Sequence, residues 1–288
     1  MKLGLTAFDD QSPWGTYPLK GWFALALSIA HRMPPALTPL TKALRRPVKY
    51  RSPGPLDLVI WSLKLRLMPR GNIAEQKLYT APQLFDRAEC RALGRILSEG
   101  GVFLDIGANA GVYSFWASVA SKGKARVLAF EPDAEMRRRL TFNRQTNGLE
   151  NITVYACALS DQNGEMTFWI NEGQRGTNSL EPPTEAQKAT RTKVTVPVRP
   201  LVDVLTEAGI TAVDALKIDV EGHEPPILRH FFANAPQSLW PRLLIAEVMH
   251  LSPEALAELI PDAQYRKIHQ TGLNAVWLRR DQADFSIP

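Results

Sequence analysis

Short apolar runs alternate with amphipathic stretches along most of this chain of 288 residues. Val102, Phe103, Leu104 and Ile106 form one such run, the pattern of a strand buried on both faces of a parallel sheet. The turn Gly107-Ala108-Asn109-Ala110-Gly111 follows, and helical spacing resumes with Val112, Phe115, Trp116 and Val119. A second apolar strand, 125–130, ends in Glu131-Pro132. Asp133 as N-cap and Asn147-Gly148 as stop then bracket a helix over 134–146. Arg137, Arg138 and Arg139 span most of its circumference, which predicts a solvated face. Residues 151–159 predict a third strand, with Ser160-Asp161 at its end and 165–170 pairing back as a hairpin strand. Residues 213–220 and 242–248 predict the fourth and fifth strands. Two last strands, 265–270 and 275–279, are joined by a tight turn through Gly272.

The remaining stretches frame these strands. Residues 1–18, with Pro13, Gly15 and Pro18, read as poorly ordered, and 19–33 as a helix ended by Pro34-Pro35. A second short helix is expected over 36–46. Residues 56–68 end in alternation, with Leu63, Leu65 and Leu67 inward and Ser62, Lys64 and Arg66 outward, a half-buried strand. A helix is expected over 83–98. The polar stretch 171–193 is too long for a simple connection and predicts a mobile loop over a site, with Thr177-Asn178-Ser179 able to touch a substrate. A strand at 194–198, a helix at 200–208, a Pro225-Pro226 helix through Phe232 and a Ser252-capped helix complete the pattern. Strands regularly interleaved with helices predict an α/β fold with a mostly parallel sheet. The expected division is a helical extension over 1–72 and a catalytic domain over 73–288.

Composition changes this picture in one respect. The hydrophobic share of 45% and charged share of 22% are those of an ordinary globular protein. The net charge of +5 is unevenly placed, however. Residues 1–72 carry 11 Lys/Arg against 3 Asp, and the rest carries 23 Lys/Arg against 26 Asp/Glu. A basic helical segment of this kind can rest on an anionic membrane face through 19–46, act as a lid, or simply cap the core. The run 22–30 is too short to span a bilayer, which takes about 20 apolar residues. No secretory signal is read, and Cys90 and Cys157 lie in apolar contexts as expected of buried thiols. Both fit a cytoplasmic protein. No aromatic-interleaved basic groove is legible, which argues against a nucleic-acid partner.

The glycine turn after a buried strand suits close approach of backbone to a ligand beyond the strand's carboxyl end. Asp105 sits inside the apolar run, where a carboxylate is costly unless paired. Glu131, at the tip of the second strand, is placed to accept from both hydroxyls of a bound ribose. The dinucleotide fingerprint G-x-G-x-x-G is not met, because Asn109 holds the second glycine position. An acid before G-x-N-x-G suits a ligand without pyrophosphate and with a cationic amino-acid end, such as S-adenosylmethionine. The expected binding set is Asp105, Gly107, Asn109, Gly111, Glu131, Pro132 and Asp161, the last placed for an adenine amino group or merely for the Asn163-Gly164 turn.

FLDIGANAGVYS, AFEPD, ALSDQNGEMTF and LKIDVEGHE, in this order and spacing, resemble the FkbM family of S-adenosylmethionine-dependent methyltransferases over roughly 75–250. The resemblance implies a class I methyltransferase (Rossmann-like) fold closed by an antiparallel hairpin, and methyl transfer to a hydroxyl of a glycan, glycolipid or secondary metabolite. Such a reaction needs a group to manage the acceptor proton. Lys217, Asp219, Glu221, His223 and Glu224 cluster at the end of the fourth strand, with Glu247 and His250 at the next. The expected catalytic set is Lys217, Asp219, Glu221 and His223, with His223 attractive as a base because its ordinary pKa is near neutrality. Asp219, Glu221 and Glu247 can hold a divalent cation or act without one. Alternatively these acids cap the next helix, above all Glu224. A nicotinamide-dependent oxidoreductase and a non-catalytic binding module are the competing readings.

Overall fold

A computed structural model of the chain describes residues 7–34, 37, 40 and 54–282. The helix expected over 36–46 lies, apart from Leu37 and Leu40, outside the described residues. Among the described residues, twelve strands run in chain order: β1 Leu56–Ile60, β2 Leu63–Leu67, β3 Gly101–Ile106, β4 Ala125–Phe130, β5 Ile152–Tyr155, β6 Ala158–Ser160, β7 Gly164–Asn171, β8 Arg191–Pro200, β9 Ala215–Ile218, β10 Leu243–Glu247, β11 Tyr265–Gln270 and β12 Asn274–Arg279.

The central sheet has seven strands in the order β11-β12-β10-β9-β3-β4-β5. Five of them are parallel neighbours, and β12 runs antiparallel between β10 and β11. Successive residues on a strand point to opposite faces, and here both faces are covered. Phe103, Val127, Ala215 and Ile245 pack into one apolar layer with the helices Arg87–Ile96 and Val112–Ala120. Leu104, Leu128, Leu216 and Leu244 pack into the other, with Leu201–Glu207 and Glu224–Asn234. Two-sided burial is why these strands read as continuous apolar runs. The chain builds outward from β3 to β5 and then returns to β9 on the other side of β3. The sheet order therefore reverses there, and a crevice opens at the carboxyl ends of β3 and β9.

Several expectations are corrected. The strand expected over 151–159 divides: β5 joins the main sheet, while β6 leaves it and pairs with β8. The partner of β7 is likewise β8, in a separate sheet ordered β6-β8-β7. The helix expected over 83–98 begins only at Arg87, because Asp86 has a φ of 29° and interrupts the chain after a short 3-10 turn, Pro82–Leu84. Residues 56–68 form a two-strand hairpin whose turn residues, Trp61 and Ser62, both have positive φ, the tight turn that suits strand twist.

The hairpin also reverses the reading of Arg66. It is fully buried, donates twice to Asp57 (2.7 and 2.9 Å), and donates to the carbonyls of Asp9, Ser12 and Pro13. Those bonds tie down residues 9–13, which the sequence suggested would be poorly ordered. The three arginines of the helix Ala134–Thr146 are a solvated face only at Arg138. Arg139 is buried between Glu75 and Glu135, Arg138 pairs with Asp10, and Arg137 donates to the carbonyls of Glu131 and Pro132. Both cysteines are free and buried.

Candidate functional site

The crevice holds a cavity of about 720 Å³, within the range of small-molecule sites. A smaller one of about 60 Å³ adjoins it, and both are lined by Gly107, Asn109, Asp219 and Glu221.

The glycine turn sits between them. The amides of Gly107 and Ala108 both donate to the carbonyl of Phe130 at 3.0 Å, joining the tips of β3 and β4. Gly107 has a φ of 75°, and a Cβ there would lie 1.9 Å from the Asp219 carbonyl oxygen, so no side chain fits. Asn109, also left-handed with a φ of 53°, donates its amide to Glu131 Oε2 at 2.7 Å. The other Glu131 oxygen accepts from the Asp133 amide at 2.8 Å. Burial pushes this carboxyl up to about 8. Glu131 lines the smaller cavity with Phe130, Pro132, Cys157 and Leu159, an apolar slot to which Asp219 and Glu221 also contribute.

Behind the turn, Asp105 is buried and accepts from Ser114 Oγ at 2.6 Å. In register beside it on β9 is Lys217, buried under the Tyr113 ring and bonded to Asp219 at 2.9 Å. Burial works to lower the Lys217 ammonium, but the carboxylates of Asp219 and Asp105 outweigh it and hold its pKa above the ordinary value. Lys217 thus balances two acids in the wall and has no free proton-accepting form near neutrality.

At the far end the tips of β9 and β10 meet. Glu221 has a φ of 55° on a turn fixed by Glu224, which accepts from the amides of Val220 (3.0 Å) and Gly222 (3.1 Å). Glu224 is therefore the capping residue of the cluster. Burial, with Asp219, Glu247 and Glu224 alongside, pushes the Glu221 carboxyl up to about 8. His250 lies between two carboxylates, with Nδ1 3.2 Å from Glu247 and Nε2 3.4 Å from Glu221. Among the described residues, Glu221, Glu247 and His250 are the trio whose donor atoms all lie within 4.8 Å of one another.

The structure thus brings together on the cavity walls Asp105, Gly107, Asn109, Glu131, Pro132, Lys217, Asp219, Glu221 and Glu247. Gly111 stands just behind, where a Cβ would meet Leu140 at 2.7 Å. Two expected residues fall elsewhere. His223 is the N-cap of Glu224–Asn234, its ring is held between Ser160 (3.0 Å) and Glu181 (2.7 Å), and it lines neither cavity. His250 lines the large cavity. Asp161 is exposed and lines neither cavity.

The stretch 171–193 does cover the cavity, but as an anchored one. Arg175 and Asn178 bond Asp133, Ser179 pairs with Trp169, and Ser179 Oγ donates to the Glu221 carbonyl. Thr177 and Ser179 line the large cavity, joined there by Asp86, Glu181 and Arg191, which the sequence reading missed. No local pattern marks these three: Glu181 is placed by the loop, Arg191 opens β8, and Asp86 precedes the helix Arg87–Ile96.

Seven strands in this order, with one antiparallel member and a ligand-sized crevice at the switch point, define a class I methyltransferase fold. The family described as Methyltransferase FkbM domain matches residues 105–266, more than half of the chain. The chain belongs to the FkbM family of methyltransferases. That membership sets aside the oxidoreductase reading. A 31-O-demethyl-FK506 methyltransferase, FkbM of Streptomyces tacrolimicus, is 30% identical over 57% of this chain and 71% of its own length. A hexuronic acid methyltransferase, AglP of Haloferax volcanii, is 28% identical over 58% of this chain and 64% of its own. The AMB antimetabolite synthetase AmbE of Pseudomonas aeruginosa is 41% identical over 81 residues, and the chain spans 4% of its length. Among solved structures, methyltransferase FkbM from Methylobacillus flagellatus aligns over 71% of this chain and 54% of its own with a TM-score of 0.40 and 18% identity.

Proposed function

We propose that the protein transfers a methyl group from S-adenosylmethionine to a hydroxyl oxygen of a glycan, glycolipid or secondary metabolite. The observation that carries this reading is a single cleft with two chemically distinct ends. One end holds the buried acid Glu131 beside an apolar slot, and the other holds Glu221, His250 and Glu247. The first end fits a nucleoside. Glu131 and the Asn109 backbone would take the ribose, Phe130, Pro132 and Leu159 the adenine, and Asp105 with Asp219 the cationic amino-acid end. Gly107 lets the tips of β3 and β9 pack closely beneath that site, since a Cβ would meet the Asp219 carbonyl. Bound S-adenosylmethionine supplies a sulfonium methyl group open to in-line displacement.

The other end manages the acceptor. Glu221 accepts the hydroxyl proton and His250, in reach of both Glu221 and Glu247, relays it. A hard cation held by Glu221, Glu247 and His250 is the second form of the same site. Chelation separates the two, with unchanged turnover expected of the base and lost turnover of the metal form. Residues 73–288 would form the methyltransferase domain, with 1–72 as a basic extension over it. A relative named for an oxygen position and another for hexuronic acid support an oxygen-rich acceptor.

Methyl-labelled S-adenosylmethionine offered with glycan, glycolipid and polyketide-type alcohols should give an O-methyl product. Label found only on nitrogen or carbon would overturn the assignment to oxygen. The cofactor end is tested separately. Glu131→Ala removes a buried hydrogen-bond contact to the ribose and should weaken S-adenosylmethionine binding about tenfold to hundredfold. Calorimetry showing unchanged affinity in a folded variant would count against that role.

A further inference from the structure

We propose that the helix Gly21–Arg32 docks this protein on an anionic lipid surface, so that the cavity receives an acceptor carried by that surface. Trp22, Leu25 and Ile29 are 60%, 56% and 40% exposed, and their spacing of three and four residues makes one stripe along the helix. The opposite face, Ala26, Leu27 and Ala30, is buried against the body of the protein. Leu37 and Leu40 continue the exposed apolar series beyond the helix.

Charge names the occupant. Residues 20–51 contain seven Lys/Arg and no Asp/Glu, and Lys20 and Arg32, at the two ends of the helix, are exposed. An apolar stripe with a cation at each end, in a stretch of sequence without acids, matches an anionic bilayer, where apolar burial and electrostatic attraction add. No helix among the described residues is long and apolar enough to cross a membrane, so the contact is interfacial.

The helix is also coupled to the cavity. His31 Nε2 lies 2.7 Å from the Tyr79 carbonyl, and Gln83 donates to the Ala30 carbonyl at 2.8 Å. The same segment, 73–86, lines the cavity with Ile73, Lys77 and Phe85. Three further exposed apolar side chains, Ile73, Met249 and Leu273, are cavity residues, a wall suited to the apolar part of an amphipathic acceptor. The acceptor clause rests on the function proposed above; the docking does not.

The test is flotation of the full chain with vesicles of phosphatidylcholine alone or mixed with phosphatidylglycerol, at low and high salt. Wild type should float with the anionic vesicles only and be released by salt. Trp22→Ser/Leu25→Ser/Ile29→Ser, changed only on the exposed stripe, should bind at least about tenfold less while keeping its affinity for S-adenosylmethionine. Lys20→Glu/Arg32→Glu should weaken binding without touching the apolar stripe. Wild type that stays unbound at low salt overturns the proposal. So does self-association abolished by the triple variant, which would assign the stripe to a second copy. Failure of the wild type to bind S-adenosylmethionine would overturn the cofactor reading and leave the flotation result standing.

Discussion

Glu221→Gln should bind S-adenosylmethionine almost normally and lose turnover by about 10²–10⁴-fold. The amide keeps the size of the side chain but cannot take a proton. Its surroundings should hold, because the turn is fixed from outside, by Glu224 on two amides and by Ser179 on the Glu221 carbonyl. The pH dependence carries a sign. The proton-accepting form is the carboxylate, and burial with three neighbouring acids raises this carboxyl to about 8. Wild-type turnover with both substrates saturating should therefore rise from pH 7 through about 8 and then level off. Glu221→Gln should lose that rise, whereas His223→Ala, which removes a ring bonded to Ser160 and Glu181, should keep it. A variant with full turnover, or one that loses cofactor affinity and folding together, would show the acid to be structural.

Asp57→Ala should lower the free energy of unfolding by about 3–5 kcal/mol, the cost of leaving a buried cation without its partner. Neither side chain of the Arg66–Asp57 pair is more than marginally exposed, and the bond length is 2.7 Å. Asp57 accepts as well from the amides of Gly15 and Tyr17, so its loss also releases the segment that precedes the first helix. Denaturant unfolding followed by fluorescence measures the change. The exposed pair Lys124–Glu99 is the comparison, since screened surface pairs contribute little. Equal effects from the two would mean that the Arg66 hub does not organise the N-terminal segment.

The main sheet was legible because burial on both faces writes unbroken apolar runs, and glycine or proline punctuates their ends. The positions that misread share one cause: tertiary pairing that leaves no local mark. Alternation in 63–67 places Arg66 outward, yet Asp57 and three carbonyls draw it in. No glycine or proline separates Tyr155 from Ala158, and it is pairing of β6 with β8 that divides the strand. The turn at Trp61-Ser62 has neither Asn nor Gly, and Trp61 is held in place by its ring contacts with Phe85 and Trp116. At the site, the residues of the turns after β3 and β9 could be read from their motif. The choice between His223 and His250 could not, because it depends on which way a buried ring turns at a helix start. Asp86 was hidden by a helical pattern that its own backbone interrupts.

The central claim is that the crevice at the tips of β3, β4 and β9 is a site for S-adenosylmethionine. Calorimetric titration of the full chain with S-adenosylmethionine, its demethylated product and a nicotinamide dinucleotide tests it most directly. One-to-one binding of the first two, with no heat from the dinucleotide, is the predicted result. Saturable binding of the dinucleotide with none of either S-adenosyl compound would contradict it.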